Sequence, residues 1–101
     1  MAGSYKGRLY QDYVNDVNIL MKLGRLDECE RLLQGLIDAI EADNSVNKVS
    51  SAWYYTQLAN IYHRKGDISS EIKVLKRFIE KNKGAKTTLH ERLEKLMGGA
   101  R

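Results

Sequence analysis

The 101-residue chain contains no proline, a single cysteine and no long apolar run. Because proline lacks an amide donor and collides with the preceding helical turn, its absence favours helix. The lone Cys29 excludes an internal disulfide and a multi-cysteine zinc site. No stretch approaches the roughly 20 apolar residues of a membrane-spanning helix, and the first residues do not resemble a signal peptide. We therefore expect a cytoplasmic protein outside the membrane.

Strand signals are also scarce. No segment alternates apolar and polar residues for long, and no Asn-Gly or Asp-Gly turn lies between β-branched runs. The composition, 43% hydrophobic and 30% charged, is typical of an ordinary globular protein. A chain of this length is expected to form one domain, residues 1–101, with a single core.

One pattern occurs twice: an apolar-striped helix, a lone glycine and a second striped helix. The glycines are Gly24 and Gly66, and a left-handed residue at each position would let the next helix fold back on the last. The first copy carries its apolar stripes on Leu9, Tyr13, Val17, Leu20, Leu26, Cys29, Leu33, Leu36 and Ile40, and the second on Tyr55, Leu58, Ala59, Tyr62, Ile68, Ile72, Leu75 and Ile79.

The stripes predict five helices, at about 5–23, 26–42, 50–65, 67–81 and 88–97, with Gly7 as an alternative, later start of the first. We expect Ser50 or Ser51 to cap the third helix and Asp67 the fourth, while Thr88 and Glu91 have capping-box spacing in the fifth. A polar linker covers residues 43–49. Since neither helix of a pair buries its stripe alone, the pattern predicts an all-α fold of antiparallel hairpins, 5–42 and 50–82, stacked side by side and closed by the short helix 88–97.

The repeated pattern resembles the tetratricopeptide-repeat family. The second copy carries the resemblance on Leu58, Ala59, Tyr62, Gly66, Asp67, Leu75 and Phe78, and the first on Tyr13, Leu20, Gly24, Cys29, Leu33 and Leu36. The copies are 42 residues apart, whereas family repeats run about 34. Glu71 stands where the family usually has alanine, and no proline closes either repeat. The segment 53–86 also looks like parts of bacterial proteins of unassigned function.

The resemblance implies a short right-handed superhelix in which the first helix of each pair lines a concave groove for a peptide or helix of a partner protein. Asparagine recurs on that surface as Asn18 and Asn60, and a cation recurs as Lys22 and Arg64. Family members hold peptide carboxylates with such side chains, which suggests an acidic or C-terminal segment. The predicted groove residues are Asn18, Lys22, Trp53, Thr56, Asn60, His63 and Arg64. The alternative is that these are an ordinary solvated helix face, with Trp53 in the core.

Charge is uneven along the chain, which has a net charge of +4. The second helix is acidic, and the last half of the chain carries a basic patch of Lys73, Lys76, Arg77, Lys81, Lys83 and Lys86. Such a patch could bind nucleic-acid phosphates, or attract the acidic helix of a second copy in a homodimer, although no nucleic-acid recognition motif accompanies it. A solvated face is the alternative.

Catalysis has little support in the sequence. His63 and His90 lie on separate predicted helices, and Cys29 falls on a buried stripe, so no Cys-His pair is expected. Only Glu94 follows a histidine at helical spacing, which is a weak basis for a metal site. The sequence therefore favours a non-catalytic interaction module without metal or cofactor.

Overall fold

Five α-helices and one small hairpin make up the fold in the computed structural model, which describes residues 4–43, 51–82 and 87–98. The two strands are β1 (Ser4–Tyr5) and β2 (Arg8–Leu9), followed by a 3-10 turn, Tyr10–Asp12. The helices are α1 (Tyr13–Lys22), α2 (Leu26–Ala42), α3 (Ala52–Lys65), α4 (Ile68–Lys81) and α5 (Thr88–Gly98). The predicted all-α class is confirmed. Within these ranges no helix is both long enough and apolar enough to span a bilayer.

Left-handed glycines end α1 and α3, as predicted. Gly24 and Gly66 both have φ of +74°, a conformation that costs other residues free energy but not glycine. After Gly66 the amide of Asp67 donates to the carbonyl of Tyr62 at 2.9 Å. Asp67 then caps α4 by accepting from the amide of Ser70 at 3.1 Å. The predicted Asp67 cap is therefore confirmed. The chain reverses within a few residues at each hairpin.

The apolar stripes meet in one core. Leu33, Leu58 and Leu75 are at most 2% exposed and belong to a single cluster that every α-helix enters. Cys29 is also buried, and burial raises the pKa of its thiol to about 11. Ile68 is an exception, since it lies 42% exposed at the start of α4, and its assignment to the core stripe is wrong.

The prediction of helix over residues 5–9 is wrong, and residues 10–12 form a 3-10 turn that leads into α1. Lys6 and Gly7 both have positive φ, 51° and 80°, and this left-handed turn pairs β1 antiparallel with β2. The hydroxyl of Tyr13 donates to the carbonyl of Tyr5 at 2.6 Å, which fastens the hairpin to α1. Leu9, expected on the stripe, is exposed in β2. Tertiary contacts of the tyrosines therefore override the local helical pattern.

The hairpin is seated on α2 at a glycine. A Cβ placed on Gly35 would lie 2.8 Å from Cζ of Tyr5 and closer still to its hydroxyl. Real Cβ atoms do not approach so closely, so a larger residue at this point of α2 would require the Tyr5 ring to shift. The ring of Tyr5 also lies 5.7 Å from that of Tyr13, centroid to centroid. The N-terminal end of the stack is thus covered by aromatic packing.

The N-terminal caps of α3 and α5 differ from expectation. Ser51 occupies the capping position of α3, but its side chain forms no capping hydrogen bond. At α5 the reciprocal pair is Thr87 and His90 in place of Thr88 and Glu91. The Thr87 hydroxyl accepts from the amide of Leu89 at 3.2 Å, and the Thr87 amide donates to His90 Nδ1 at 3.0 Å. Ser50 and most of the predicted linker lie outside the described residues.

The order of contacts follows the predicted stacking. The helix pairs with the most extensive contacts are α1 with α2, α2 with α3, α3 with α4, and α4 with α5. The described residues extend over 45 × 35 × 16 Å, so the helices form a thin layer. The superhelical handedness and the family resemblance stay predictions.

Candidate interaction groove

A cleft of about 590 Å³ lies between α3 and α5. One wall carries Asn60 and His63 of α3, and Glu71 of α4 lies between the walls. The opposite wall is formed by one face of α5, at Thr88, Glu91, Arg92, Lys95 and Leu96. We call this cleft the α3/α5 groove. It joins two of the predicted groove residues to a wall that the sequence analysis did not include.

A buried carboxylate organises the α3/α5 groove. Glu71 is 1% exposed, and its Oε2 accepts from Arg92 Nε at 3.0 Å and Nη2 at 2.7 Å. Its Oε1 lies 3.2 Å from Nδ1 of His63. A buried charge requires a partner and further hydrogen bonds, and both are present here. This network accounts for a glutamate beside the apolar stripe of α4.

Arg92 connects three helices. Besides its two bonds to Glu71 on α4, its Nη1 donates to Oδ1 of Asn60 on α3 at 2.7 Å. These bonds use three of the five N–H hydrogens of the guanidinium, whose planar shape restricts the orientation of α5. Arg92 therefore fixes the distance between the two walls of the α3/α5 groove.

His63 presents one ring nitrogen to the groove. A carboxylate only accepts hydrogen bonds when ionised, so the contact with Glu71 assigns the hydrogen to Nδ1. The side chain remains 64% exposed. Its Nε2 is therefore an acceptor in the neutral ring and a donor in the protonated ring. In either state it can bond a ligand in the groove.

The remaining predicted residues on α3 serve packing more than the groove. Trp53 is half-buried and stands edge-on to Tyr54, with ring centroids 5.1 Å apart. It also packs against the core cluster. The hydroxyl of Thr56 donates to the carbonyl of Ala52 in its own helix at 2.9 Å. Both are partly accessible beside Asn60 along α3.

The predicted residues of the first copy lie elsewhere. Asn18 and Lys22 are exposed on α1 and do not line the α3/α5 groove. Arg64 reaches the end of α1, where its Nη1 donates to the carbonyl of Met21 at 3.2 Å. The structure thus brings Asn60 and His63 together with α5, and places Arg64 at the junction of α1 and α3.

Two signals in the sequence could have revealed the missing parts of the groove. Glu71 interrupts an apolar stripe, and a charge in that position needs a buried partner. Thr88, Glu91, Arg92 and Lys95 repeat at the spacing of one helix face. Neither signal identifies Arg92 as the partner of Glu71, because the two residues are 21 positions apart in the chain.

The basic patch is partly neutralised inside the chain. Arg77 donates to Asp38 at 2.7 Å and to Glu41 at 2.7 Å, and the hydroxyl of Tyr55 donates to Glu41 at 2.6 Å. Burial alone would raise the pKa of Glu41, but these partners lower it. The other described lysines of the patch, Lys73, Lys76 and Lys81, are exposed, whereas Lys83 and Lys86 lie outside the described residues.

Titratable clusters are sparse. Among the residues that the structure describes, no group of three or more histidine, cysteine, aspartate and glutamate side chains could hold a metal ion. His90 is occupied at the start of α5, where its Nδ1 accepts from the Thr87 amide. Cys29 is buried under α1 and its Sγ contacts the carbonyl of Val17 at 3.7 Å. The described residues of the groove can therefore contact a ligand through hydrogen bonds and complementary shape.

No protein-family model, curated protein or solved structure matches this chain. Functional inference therefore depends on the groove and its contacts.

Proposed function

We propose that this protein is a non-catalytic interaction module that holds a peptide or helix of a partner protein in the α3/α5 groove. The observation that carries the proposal is the cleft of about 590 Å³ whose walls are joined by Arg92. Walls positioned before binding reduce the ordering cost of association. The single buried cysteine suits a reducing compartment, and we propose the cytoplasm.

The charges of the groove favour a partner with a single carboxylate over a run of acidic residues. Arg92 and Glu71 neutralise each other, and Lys95 is balanced by Glu91 on the same wall. A ligand carboxylate can still bond Nε2 of protonated His63 and the ammonium of Lys95. A peptide C-terminus supplies one such group, and charge-assisted bonds to it are about twice as strong as neutral ones.

The test compares capture of partners by the wild-type chain with capture by His63→Ala/Lys95→Ala. These side chains line the groove at exposed positions, so the variant should keep its helicity by circular dichroism. We expect it to retain at least tenfold less of the partners identified from the native cell. The matched control is Lys76→Ala/Lys81→Ala, which changes two exposed cations outside the groove and should retain them fully.

A second step tests the carboxylate. A synthetic peptide with the C-terminal sequence of the captured partner should bind the wild-type chain at least tenfold more tightly than the same peptide with an amidated C-terminus. Equal capture by the groove variant and the wild type would refute the groove. Equal binding of the free and amidated peptides would refute the carboxylate while leaving the groove in place.

A further inference from the structure

A second, smaller pocket of about 180 Å³ opens on the opposite side of α3 from the groove. It lies where α2, α3 and α4 meet. Leu58 and Tyr62 reach it from α3, about half a helical turn away from Asn60 and His63. Its lining is completed by Gln34 of α2 and by Ser70, Lys73, Val74 and Arg77 of α4. We call it the α2/α4 pocket.

The inner part of the α2/α4 pocket is apolar. Leu58, Tyr62 and Val74 are 2%, 8% and 7% exposed. Pockets for drug-sized ligands enclose about 300–1,000 Å³, so this one has room for a single side chain and little more. Small, well-packed pockets that take one side chain of a partner are typical anchor points of protein interfaces.

Hydrogen-bond donors surround the opening. Gln34 and Arg77 already donate to carboxylates of α2, at 3.2 Å to Glu30 and 2.7 Å to Asp38. Lys73 is exposed and forms no ion pair within the described ranges. It therefore remains the cation at the rim that can pair with a ligand.

The carboxylate of Asp67, which caps the start of α4 and interacts electrostatically with Lys73, is already engaged. Its oxygens accept from the amide of Ser70 at 3.1 Å and from the Ser70 hydroxyl at 2.7 Å. Lys73 can therefore approach a new carboxylate without breaking an existing ion pair.

We propose that the α2/α4 pocket binds one aliphatic side chain of an acidic peptide segment, whose neighbouring carboxylate pairs with Lys73. The apolar lining selects an aliphatic side chain, and the rim supplies the charge complement. A nucleic-acid strand fits less well, because Tyr62 is buried in the pocket wall and presents no open ring face for base stacking. The pocket is separate from the α3/α5 groove, so the inference does not depend on the proposed function.

The probe is a fluorescein-labelled nonapeptide with one central leucine flanked by aspartate and glutamate, measured by fluorescence anisotropy. Ser70→Trp places an indole over the half-buried opening and should weaken binding at least tenfold. Ser69→Trp is the matched control, since Ser69 is the exposed neighbour on the same helix and does not line the pocket. It should bind within twofold of wild type.

The charge is tested by a second matched pair. Lys73→Glu should weaken binding at least fivefold, whereas Lys76→Glu, which alters the same net charge outside the pocket, should change it by less than twofold. Replacing the leucine of the probe with glycine should abolish binding. His63→Ala/Lys95→Ala should leave it unchanged, which separates this test from that of the groove.

Several outcomes would overturn the proposal. One is no binding of the probe up to about 1 mM, equivalent to an affinity weaker than about −4 kcal/mol. Another is equal weakening by Ser69→Trp and Ser70→Trp. Tighter binding of an oligothymidylate than of the peptide, lost equally in both lysine variants and steeply reduced by salt, would instead assign the face to phosphate binding.

Discussion

The two ends of the helical stack are closed by different physical means. At the N-terminal end the ring of Tyr5 fits against Gly35, and the hydroxyl of Tyr13 holds the backbone of Tyr5 at 2.6 Å. At the C-terminal end α5 is joined to α4 by the buried pair of Glu71 and Arg92. The first end depends on the fit between side chains, so a substitution there should lower the stability by a moderate amount. The second depends on a buried charge, and removing the partner of a buried charge lowers the stability strongly.

The ends also differ in how completely they cover apolar surface. Ile19 on α1 and Leu23 directly after this helix remain 48% and 63% exposed. On α5, Leu89 is 2% exposed, although Met97 near the end of the helix is half exposed. Since Leu89 is fully buried while Leu93 and Leu96 of α5 pack against the core only partly buried, the position of α5 depends heavily on Arg92. The following changes should therefore have unequal effects at the two ends.

Arg92→Ala should have the largest effect. It leaves the carboxylate of Glu71 buried with His63 as its one remaining partner in the described part of the chain, and breaking a buried ion pair in this way costs about 3–5 kcal/mol. Urea unfolding followed by circular dichroism measures the loss. Chemical shifts of Asn60 should move as well, because its Oδ1 loses the Arg92 bond.

The control replaces both charges with apolar groups. Glu71→Ala/Arg92→Leu removes the buried carboxylate together with its partner and should recover most of the stability lost in Arg92→Ala, since apolar replacement of buried pairs is often neutral. A double variant as unstable as Arg92→Ala would show that the cost arises from lost packing of α5, and the charge-based account of this end would be wrong.

Gly35→Ala should have an intermediate effect, at the N-terminal end. The added methyl group overlaps the ring of Tyr5, and overpacking of this kind costs about 1–3 kcal/mol. The same urea measurement applies, with the labelling rate of the Cys29 thiol as a second readout. The pKa of this thiol is raised to about 11, so it should react slowly unless α1 separates from α2.

Gly98→Ala is the matched control, since a Cβ there meets no atom of the described residues within 4 Å. Tyr5→Ala/Gly35→Ala should lose less stability than the two single changes added together, because the clash disappears with the ring. Additive losses would mean that Tyr5 does not occupy the notch at Gly35.

Alkaline pH should weaken the N-terminal end through Tyr10. Burial and a 3.0 Å hydrogen bond to Asp43 raise the pKa of Tyr10 to about 12, against about 10 in an unfolded chain. The folded state thus binds this proton more tightly, so the contribution to stability is complete below about pH 10 and is lost as the pH rises towards 12.

The measurement is the urea midpoint at several pH values across that window, for wild type and Tyr10→Phe. The variant should show a shallower decline, and part of the decline should persist because burial also raises the pKa of Tyr54, Tyr55 and Tyr62. Identical declines of the urea midpoint for the two proteins would show that ionisation of Tyr10 does not weaken this end.

The sequence predicted the inner helices better than the ends. The bounds of α2, Leu26–Ala42, agree with the prediction, because Gly24 ends one stripe and the next stripe begins at once. The hairpin was missed because its turn uses a left-handed lysine, Lys6, in place of asparagine or aspartate. The notch at Gly35 depends on a tyrosine 30 positions earlier in the chain, which local periodicity cannot reveal.

The same division applies to the α3/α5 groove. Asn60 and His63 could be predicted, since helical spacing places them on the face of α3 opposite the core. The partner wall could not, because the contact of Glu71 with Arg92 joins two helices through tertiary packing. A charge on an apolar stripe indicates only that some partner exists. Whether that partner is a second copy, a ligand or a later helix depends on the fold.

Arg8→Ala should have the smallest effect and completes the comparison of the two ends. Its guanidinium lies 4.3 Å from the ring centre of Tyr13 and 2.8 Å from Asp16. Both charged side chains are at least 40% exposed, where ion pairs contribute little and are screened by salt.

The control is Arg25→Ala, which breaks a similar exposed ion pair with Glu28 at 2.5 Å. Unlike Arg8, Arg25 has no aromatic contact among the described residues. Both variants should shift the urea midpoint slightly at low salt, and at high salt only the Arg8→Ala shift should persist, since the contact with Tyr13 is less screened. A loss for Arg8→Ala as large as that for Arg92→Ala would mean that charge closes both ends of the stack.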